Sequence, residues 1–254
     1  KITRTHIPTI PPINLGAGRT ATQFSSGPYS TCVLLDNGTI KCWGQNPYGN
    51  LGQGHSNNLC DQSWEMAALT PIDLGTVVTG KYVCTNNYHA CAITNNDKIK
   101  CWGYNAHGQL GYDHTNNLGD AVGEMGDALP YIDLGTGRSV KKLSCGVNYN
   151  CAILDNDKLK CWGYNAQGQL GLGTTATKGH TPVTMGNALP YVNLGTGRTA
   201  IDIKTGYYHT CAVLDNNDVK CWGYNHRGQI GAGKVGNLGD NADEMGDALL
   251  PIRF

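Results

Sequence analysis

The sequence predicts an all-β fold, a β-propeller of four blades that each hold a four-stranded antiparallel sheet. The first indication is a repeat: Cys, nine residues, Cys and then Trp-Gly recur four times within the 254 residues. The second is composition, because 35 Gly and many Asn and Asp separate short apolar runs, as tight turns between strands require. A repeat of this length cannot bury its own apolar face, so the copies must stack on one another.

The repeats divide a single propeller domain, residues 1–254, into four copies and a short remainder. The copies cover about residues 10–68, 69–128, 129–188 and 189–248. The remainder, 249–254, has the same pattern as the segment that begins each copy, so we expect it to form a spare strand. Leu249, Leu250 and Ile252 would then form an apolar, unpaired edge through which the chain could associate with another molecule.

Each copy contains the same elements in the same order. It begins with an alternating segment that ends in Leu-Gly, as in 130–135, followed by a turn and a second strand, as in 200–204. The hairpin between the paired Cys comes next. The sequence Tyr-Asn-x-x-Gly-Gln-Leu-Gly then follows, as in 164–171, and a long polar loop containing Glu-Met ends the copy. These short strands and one loop are the content of a propeller blade.

Eight of the 11 Cys occur as pairs with nine residues between them. A turn centred on Asn37, or on the matching Asn of the other copies, places the two Cys of a pair across neighbouring strands, where a disulfide can form. Zinc sites usually have closer Cys spacings, and free buried thiols are the other alternative. The predicted disulfides, each within one hairpin, are Cys32–Cys42, Cys91–Cys101, Cys151–Cys161 and Cys211–Cys221.

The remaining three Cys lie outside this pattern. Cys60 is in the long loop of the first copy and Cys84 is near the start of the second, so we expect these two to bridge adjacent copies. Cys145 would then be left without a partner. Because disulfides form in oxidising compartments, the predicted pairs indicate a secreted or cell-surface protein.

One copy carries a recognisable signature. It runs from His209-Thr210-Cys211 through Cys221-Trp222-Gly223-Tyr224-Asn225 to Gly228-Gln229-Ile230-Gly231. This signature resembles the repeat of the regulator of chromosome condensation family, which similarly has a His before a hairpin and then Trp-Gly-x-Asn and Gly-Gln-Leu-Gly. The resemblance extends from about residue 10 to the end of the chain and implies a β-propeller. It implies little about function, because propellers of one repeat type serve unrelated tasks.

Several departures from that family bear on function. Its best-known member is a nuclear, seven-bladed exchange factor for a small GTPase that also binds chromatin. This chain has four copies, paired Cys, and 19 basic against 19 acidic residues, and it keeps the His before the hairpin at His89 and His209 alone. Its repeats therefore resemble the cysteine-paired version found in secreted and cell-surface proteins, and a nuclear role is disfavoured.

Aromatic residues recur in every copy and are the first candidates for a binding site. The Trp of Trp-Gly could stack on a sugar, but its place at the end of an inner hairpin favours packing between blades, at Trp43, Trp102, Trp162 and Trp222. The Tyr that follows Trp-Gly lies nearer the turn. We therefore predict that Tyr104, Tyr164 and Tyr224 face a ligand.

The remaining chemistry is sparse. Acidic loop residues such as Asp120, Glu124 and Asp127 could ligate calcium, but their spacing matches no calcium loop, and we predict no cofactor or metal. We find no nucleophile with a matching base and predict that the chain is not an enzyme. Asn37-Gly38-Thr39 is a glycosylation sequon at a hairpin tip. The balanced charge disfavours nucleic acid, and no apolar run is long enough to span a membrane.

These observations favour a non-enzymatic module that works outside the cell in protein interaction or structural assembly, as a subunit of a filament, sheath or surface protein. A lectin with one shallow glycan site per blade is the alternative. An enzyme inhibitor or a GTPase exchange factor is less favoured. The repetition of the hairpins suits polyvalent binding, whereas the variable loops suit one specific protein partner.

Overall fold

The computed structural model describes residues 12–62 and 64–253. In these residues each copy forms one three-stranded antiparallel sheet, and we number the four sheets as blades 1 to 4. The predicted all-β propeller class is confirmed. The strands are β1 (Ala21–Ser26), β2 (Ser30–Leu35), β3 (Ile40–Gly44), β4 (Gly80–Asn86), β5 (His89–Thr94), β6 (Ile99–Gly103), β7 (Val140–Gly146), β8 (Tyr149–Leu154), β9 (Leu159–Gly163), β10 (Ala200–Thr205), β11 (His209–Leu214) and β12 (Val219–Gly223).

The long loops carry short helical turns between the blades. The loop of blade 1 contains a one-turn helix, α1 (Glu65–Ala68). The loops of blades 2, 3 and 4 instead contain 3-10 turns at Gly126–Ala128, Gly186–Ala188 and Gly246–Ala248. The loop of blade 1 is therefore built differently from the other three.

Each sheet has three strands, one fewer than predicted. The missing strand is the segment that begins each copy, such as 130–135. This segment lies beside the third strand of the preceding blade, and Ile132 N donates a single backbone hydrogen bond to Ile99 O, 2.9 Å away. A full ladder does not form there, since Pro130 has no N–H to donate. The segment thus closes the blade before it and does not open the blade after it.

The C-terminal segment occupies this same position on blade 4. Leu249 is buried, and Ile252 N donates to Val219 O at 2.8 Å. The expected spare strand is therefore docked on its own blade, and the prediction of an unpaired edge is wrong for Leu249 and Ile252. Leu250 does remain exposed. The equivalent N-terminal residues before 12 lie outside the described residues.

The hairpins have the predicted register. Cys151 lies directly across from Cys161, and the same holds for the other three pairs. The Cα atoms of the paired Cys are 4.0 to 4.1 Å apart, and each pair forms a disulfide. The prediction that each blade is stapled within its hairpin is confirmed.

The pairing of the other three Cys differs from the prediction. A disulfide joins Cys84 in β4 to Cys145 in β7, with the two Cα atoms 5.7 Å apart. Cys60 is free and its Sγ lies 3.4 Å from Met66 Sδ, so the expected Cys60–Cys84 bridge is wrong. The reason is topological: β4 and β7 are the first strands of consecutive blades and pack side by side, whereas Cys60 lies in a loop of blade 1.

The core lies between consecutive blades. Blade 3 contributes Ile153 and Leu170 to a buried cluster that blade 4 completes with Ile203, Leu214 and Trp222. Equivalent clusters lie between blades 1 and 2 and between blades 2 and 3. Backbone hydrogen bonds add to this packing where the first strand of each later blade meets the hairpin turn before it. The apolar area is thus buried between copies, as expected for stacked repeats.

Candidate functional site: an aromatic band

Two Tyr positions in the repeat come together at one end of each hairpin. In blade 2, Tyr104 N donates a backbone hydrogen bond to Tyr88 O at 2.8 Å. This bond places the residue before β5 next to the residue after Trp-Gly, on the same edge of the sheet. The equivalent bond is present in the other three blades. The repeat therefore places one side chain from each of these two positions side by side at the same edge of every blade.

A buried Asn fixes the turn that follows. Asn105 is fully buried, its Oδ1 accepts a hydrogen bond from Leu110 N at 2.9 Å, and its Nδ2 donates to His114 O at 2.8 Å. These bonds hold the intervening turn and hence the position of His107. The matching Asn of the other blades make the same contact with the Leu or Ile five residues on, and they are Asn46, Asn165 and Asn225.

The ring side chains from these positions form a continuous row across the four blades, which we call the aromatic band. Neighbouring ring centroids are 4.5 to 6.2 Å apart in the order Tyr29, Tyr88, Tyr48, Tyr104, His107, Tyr164, Tyr208 and Tyr207. Tyr29 and Tyr88 are stacked with only 5° between their ring planes. Tyr29 and Tyr207 are exposed, and the rings between them are half-buried.

Three rings of the band, Tyr88, Tyr208 and His107, have shifted pKa values. Desolvation, together with the hydroxyl of Tyr29, raises the pKa of Tyr88 above its usual value. Desolvation and the neighbouring Tyr207 likewise raise the pKa of Tyr208. Burial lowers the pKa of His107, and nearby His180 lowers it further. Each of these shifts favours the neutral form of the ring, so these positions offer apolar ring faces and polar ring atoms to a ligand.

The predicted ligand-facing residues are partly in this band. Tyr104 and Tyr164 belong to it, whereas the described ring contact of Tyr224 is with His226, 5.0 Å away. Sequence reasoning missed the Tyr that precedes the hairpin. Its signal was present, since three of the four copies have Tyr at this position: Tyr29, Tyr88 and Tyr208.

A potential metal-binding cluster in the described residues does not fit a metal. His89, Cys91 and Cys145 have ligand atoms within 4.8 Å of one another. Both Cys are in disulfides and offer no thiolate, and His89 Nε2 is hydrogen-bonded to Asn150 Oδ1 at 2.9 Å. Burial also lowers the pKa of His89 to about 4. The cluster is a packed, neutral part of the core.

The acidic loop residues accept hydrogen bonds that hold the loops in place. Glu124 accepts hydrogen bonds from Gly119 N at 2.8 Å and Ala121 N at 2.9 Å. Asp127 accepts from the backbone N of Thr76 at 2.8 Å and from its hydroxyl at 2.6 Å, which ties the loop to the segment before blade 2. These bonds lower the pKa of Asp127. The two carboxylates serve different loop contacts, so they do not form a calcium site.

Asn37 is exposed at the tip of the first hairpin, and its Oδ1 accepts hydrogen bonds from Thr39 N at 3.2 Å and Thr39 Oγ1 at 2.8 Å. Glycosylation of Asn37 stays a prediction. Within residues 12–62 and 64–253, no helix has the length and apolar character needed to cross a membrane.

The chain is similar to known proteins along most of its length. It is 24% identical over 214 residues to the ultraviolet-B receptor UVR8 of Arabidopsis thaliana, which covers 84% of this chain and 43% of the receptor. It is 26% identical over 195 residues to the X-linked retinitis pigmentosa GTPase regulator homolog of Caenorhabditis elegans, covering 76% of this chain and 12% of that protein. The chain thus spans less than half the length of these relatives.

Solved structures agree on the fold. The Saccharomyces cerevisiae protein Prp20p superposes with a TM-score of 0.69 at 18% identity, covering 95% of this chain and 52% of that one. Yeast RCC1 (Prp20) bound to Kap60 gives a TM-score of 0.68 at 17% identity, over 95% of this chain and 50% of that one.

Family models match each of the four blades. The regulator of chromosome condensation (RCC1) repeat is found at residues 21–50, 81–109, 140–169 and 200–229, and a second model of the same repeat matches 158–213. These matches coincide with the strands and with the turns that carry the aromatic band. The chain belongs to the RCC1-repeat family of β-propellers.

Proposed function

We propose that this chain is a non-enzymatic protein-binding module that works outside the cell and engages its partner through the aromatic band. The observation that carries the proposal is the continuity of the band across all four blades. Tyr side chains supply large, rigid contact areas with a polar tip, and they are enriched at the centres of protein interfaces. A row of this length suits an extended partner surface.

The five disulfides support an extracellular setting. Such bonds form and persist in oxidising compartments and are rare in the cytosol and nucleus. Ten of the 11 Cys form these disulfides, and such a high proportion is typical of a secreted or cell-surface domain. Of the two yeast structures, one shows RCC1 (Prp20) bound to Kap60, and the other concerns the binding of Prp20p to Gsp1p and histones. An exchange-factor role for this chain is a less favoured alternative. Its balanced charge and its disulfides are not those expected of a nuclear, chromatin-binding protein.

The geometry favours a protein partner over a glycan. A lectin with one shallow site per blade needs a ring face open to the sugar and the same ring in every blade. Here the faces of Tyr29 and Tyr88 cover one another, with centroids 4.8 Å apart. Blade 3 also has Asn148 at the position that Tyr88 occupies in blade 2. The band is therefore one continuous surface and not four equal sites.

The test compares the wild-type protein with a double variant, Tyr104→Ser and Tyr164→Ser, on an array of secreted proteins and ectodomains and on a glycan array. We expect binding to one or a few arrayed proteins, lost in the double variant. Val122→Ser is the matched control, because Val122 is exposed in a loop outside the band. Binding to glycans alone would favour the lectin alternative, and equal protein binding by the double variant would refute the band as the site.

The setting has its own test. Production in an oxidising secretory pathway and in a reducing cytosol, followed by non-reducing peptide mapping, should give five disulfides in the first case. A protein that is folded, stable and fully reduced in the cytosol would argue against the extracellular proposal.

A further inference from the structure

Within residues 12–62 and 64–253, no blade packs against the outer face of blade 1 or the outer face of blade 4. These two faces are the two halves of the contact that joins the blades inside the chain. We propose that blade 1 of one molecule docks head to tail on blade 4 of a second copy of this chain. The contact would be the one that recurs between blades, in which the Trp of one blade enters a groove of the blade before it. This proposal concerns the end faces and does not depend on the aromatic band.

The internal contact has a fixed chemistry. Between blades 3 and 4, the indole N–H of Trp222 donates to Gln169 O at 3.0 Å, and the Thr210 hydroxyl donates to the same oxygen at 2.9 Å. The indole lies against Gly171, where even a Cβ atom would come within 2.6 Å of Trp222 Nε1. The other two internal contacts repeat the indole hydrogen bond, from Trp102 to Asn50 O and from Trp162 to Gln109 O.

Blade 1 presents the donor half of this contact without an acceptor. Trp43 and Thr31 are the equivalents of Trp222 and Thr210 and are the same two residue types. Trp43 is half-buried, and among the described residues its indole N–H has no hydrogen-bond partner. Phe24 on the same face is 73% exposed, whereas its equivalent in blade 4, Ile203, is 3% exposed. This face has residue types that are buried elsewhere in the chain, and none of the described blades packs against it.

Blade 4 presents the acceptor half as an open groove. The groove has a volume of 490 Å³ and its lining includes Ile230, Gly231 and Ile252. Gly231 is the equivalent of Gly171, and a Cβ there would meet only Ile252, at 3.4 Å. Gln229 repeats the Gln whose carbonyl accepts the indole in blade 3. Val213 and Val219, which correspond to buried Ile153 and Leu159, are only partly buried.

A second copy fits these faces because each end supplies what the other lacks, and the Trp, Thr, Gln and Gly of the contact are the same residue types as between blades 3 and 4. Such a contact is heterologous, since different surfaces of the two molecules meet. Blade 1 departs from the internal pattern at Phe24, in the loop that contains α1, and at one crowded position. Cys60 stands where the later blades have Gly119, Gly179 and Gly239. A Cβ at Gly119 would come within 2.9 Å of Gly49 O of the preceding blade. We therefore expect the contact between molecules to be weaker and reversible, unlike those within the chain.

Sedimentation velocity over a concentration series tests the proposal on the full chain. The wild-type protein should shift from monomer to larger species as its concentration rises, either as a closed pair or as an open series. Trp43→Ala on the donor face and Val213→Glu on the acceptor face should each weaken this association about tenfold or more. Val122→Glu, on an exposed loop, should leave it unchanged.

Mixing the two variants identifies the geometry. Val213→Glu keeps an intact donor face and Trp43→Ala keeps an intact acceptor face, so an equimolar mixture should form a one-to-one pair that neither forms alone. Cys60→Gly should tighten the wild-type association. A monomer at every concentration, or a mixture with no pair, would overturn the proposal, and the open faces would then belong to blades of a different sequence. Circular dichroism melting of each variant separates lost association from lost folding.

Discussion

Blades 2 and 3 and the two end blades are built from nearly the same sequence, yet their residues have different surroundings. Trp102 and Trp162 are fully buried, whereas Trp43 in blade 1 is half-buried. His89 in blade 2 is fully buried against blade 3, whereas His209 in blade 4 is only half-buried. This difference shows that the repeat motif determines the fold of a single blade. Contacts with the neighbouring blade determine how much each residue contributes to stability.

The largest expected effect compares two Trp. Trp162→Ala should lower the free energy of unfolding by about 3 to 5 kcal/mol, since it removes a buried ring and the bond to Gln109 O. Trp43→Ala should cost about 1 to 2 kcal/mol, because the ring is only partly removed from water. Urea denaturation of dilute protein measures both. Equal losses would mean that the end blade is packed as tightly as an inner one.

The second comparison concerns the two kinds of disulfide. Removing Cys84–Cys145 by a double Ala substitution should destabilise the protein by about 4 kcal/mol, because this bond joins residues 61 apart in sequence. Removing Cys151–Cys161, whose residues are 10 apart, should cost about 3 kcal/mol on the same loop-entropy argument. Thermal and urea unfolding provide the values. A larger effect from the hairpin bond would show that packing within the blade outweighs loop closure.

A third comparison uses pH. Burial lowers the pKa of His89 to about 4, from 6.5 for an ordinary His, so the unfolded chain binds a proton over this range while the folded protein does not. The stability that depends on neutral His89 is therefore fully present above pH 6.5. The free energy of unfolding should fall by about 3 kcal/mol as the pH drops to 4. His89→Gln should flatten this dependence. His209, whose pKa is also lowered by burial, is only half-buried, and His209→Gln should flatten the dependence less.

Urea denaturation at pH 7 and pH 5 is the measurement, with wild type, His89→Gln and His209→Gln side by side. Identical pH profiles for wild type and His89→Gln would contradict the assignment of this pH dependence to the inner blade.

The smallest expected effect compares two Gly with the same backbone conformation. Gly111 has φ 76° and Gly231 has φ 67°, so Ala at either position should cost about 1 to 2 kcal/mol from the left-handed backbone alone. At Gly111 the added Cβ would also lie 2.9 Å from Trp162 Nε1. We expect Gly111→Ala to be the more destabilising by about 1 kcal/mol or more. Equal effects in dilute solution would mean that the indole can move away without loss.

The fold and the hairpin disulfides could be predicted from the sequence because they depend on local order. Nine residues between Cys151 and Cys161, with a turn at the centre, set the register of the two strands. The buried Asn after Trp-Gly likewise acts on its own turn. In contrast, the pairing of Cys84 with Cys145 depends on which strands of neighbouring blades lie side by side, and no local spacing specifies that.

The sequence by itself determined the four-fold repeat, the strand and turn content, the stapled hairpins and the family, because each depends on residues close together along the chain. Only the tertiary structure decided that the segment before each Leu-Gly closes the preceding blade, that Cys84 bonds Cys145, and that Tyr from four blades form one band. It also decided that Trp43 is only half-buried and that a groove lies at Gly231. These features depend on the stacking of one blade on the next, which brings together residues about 60 positions apart.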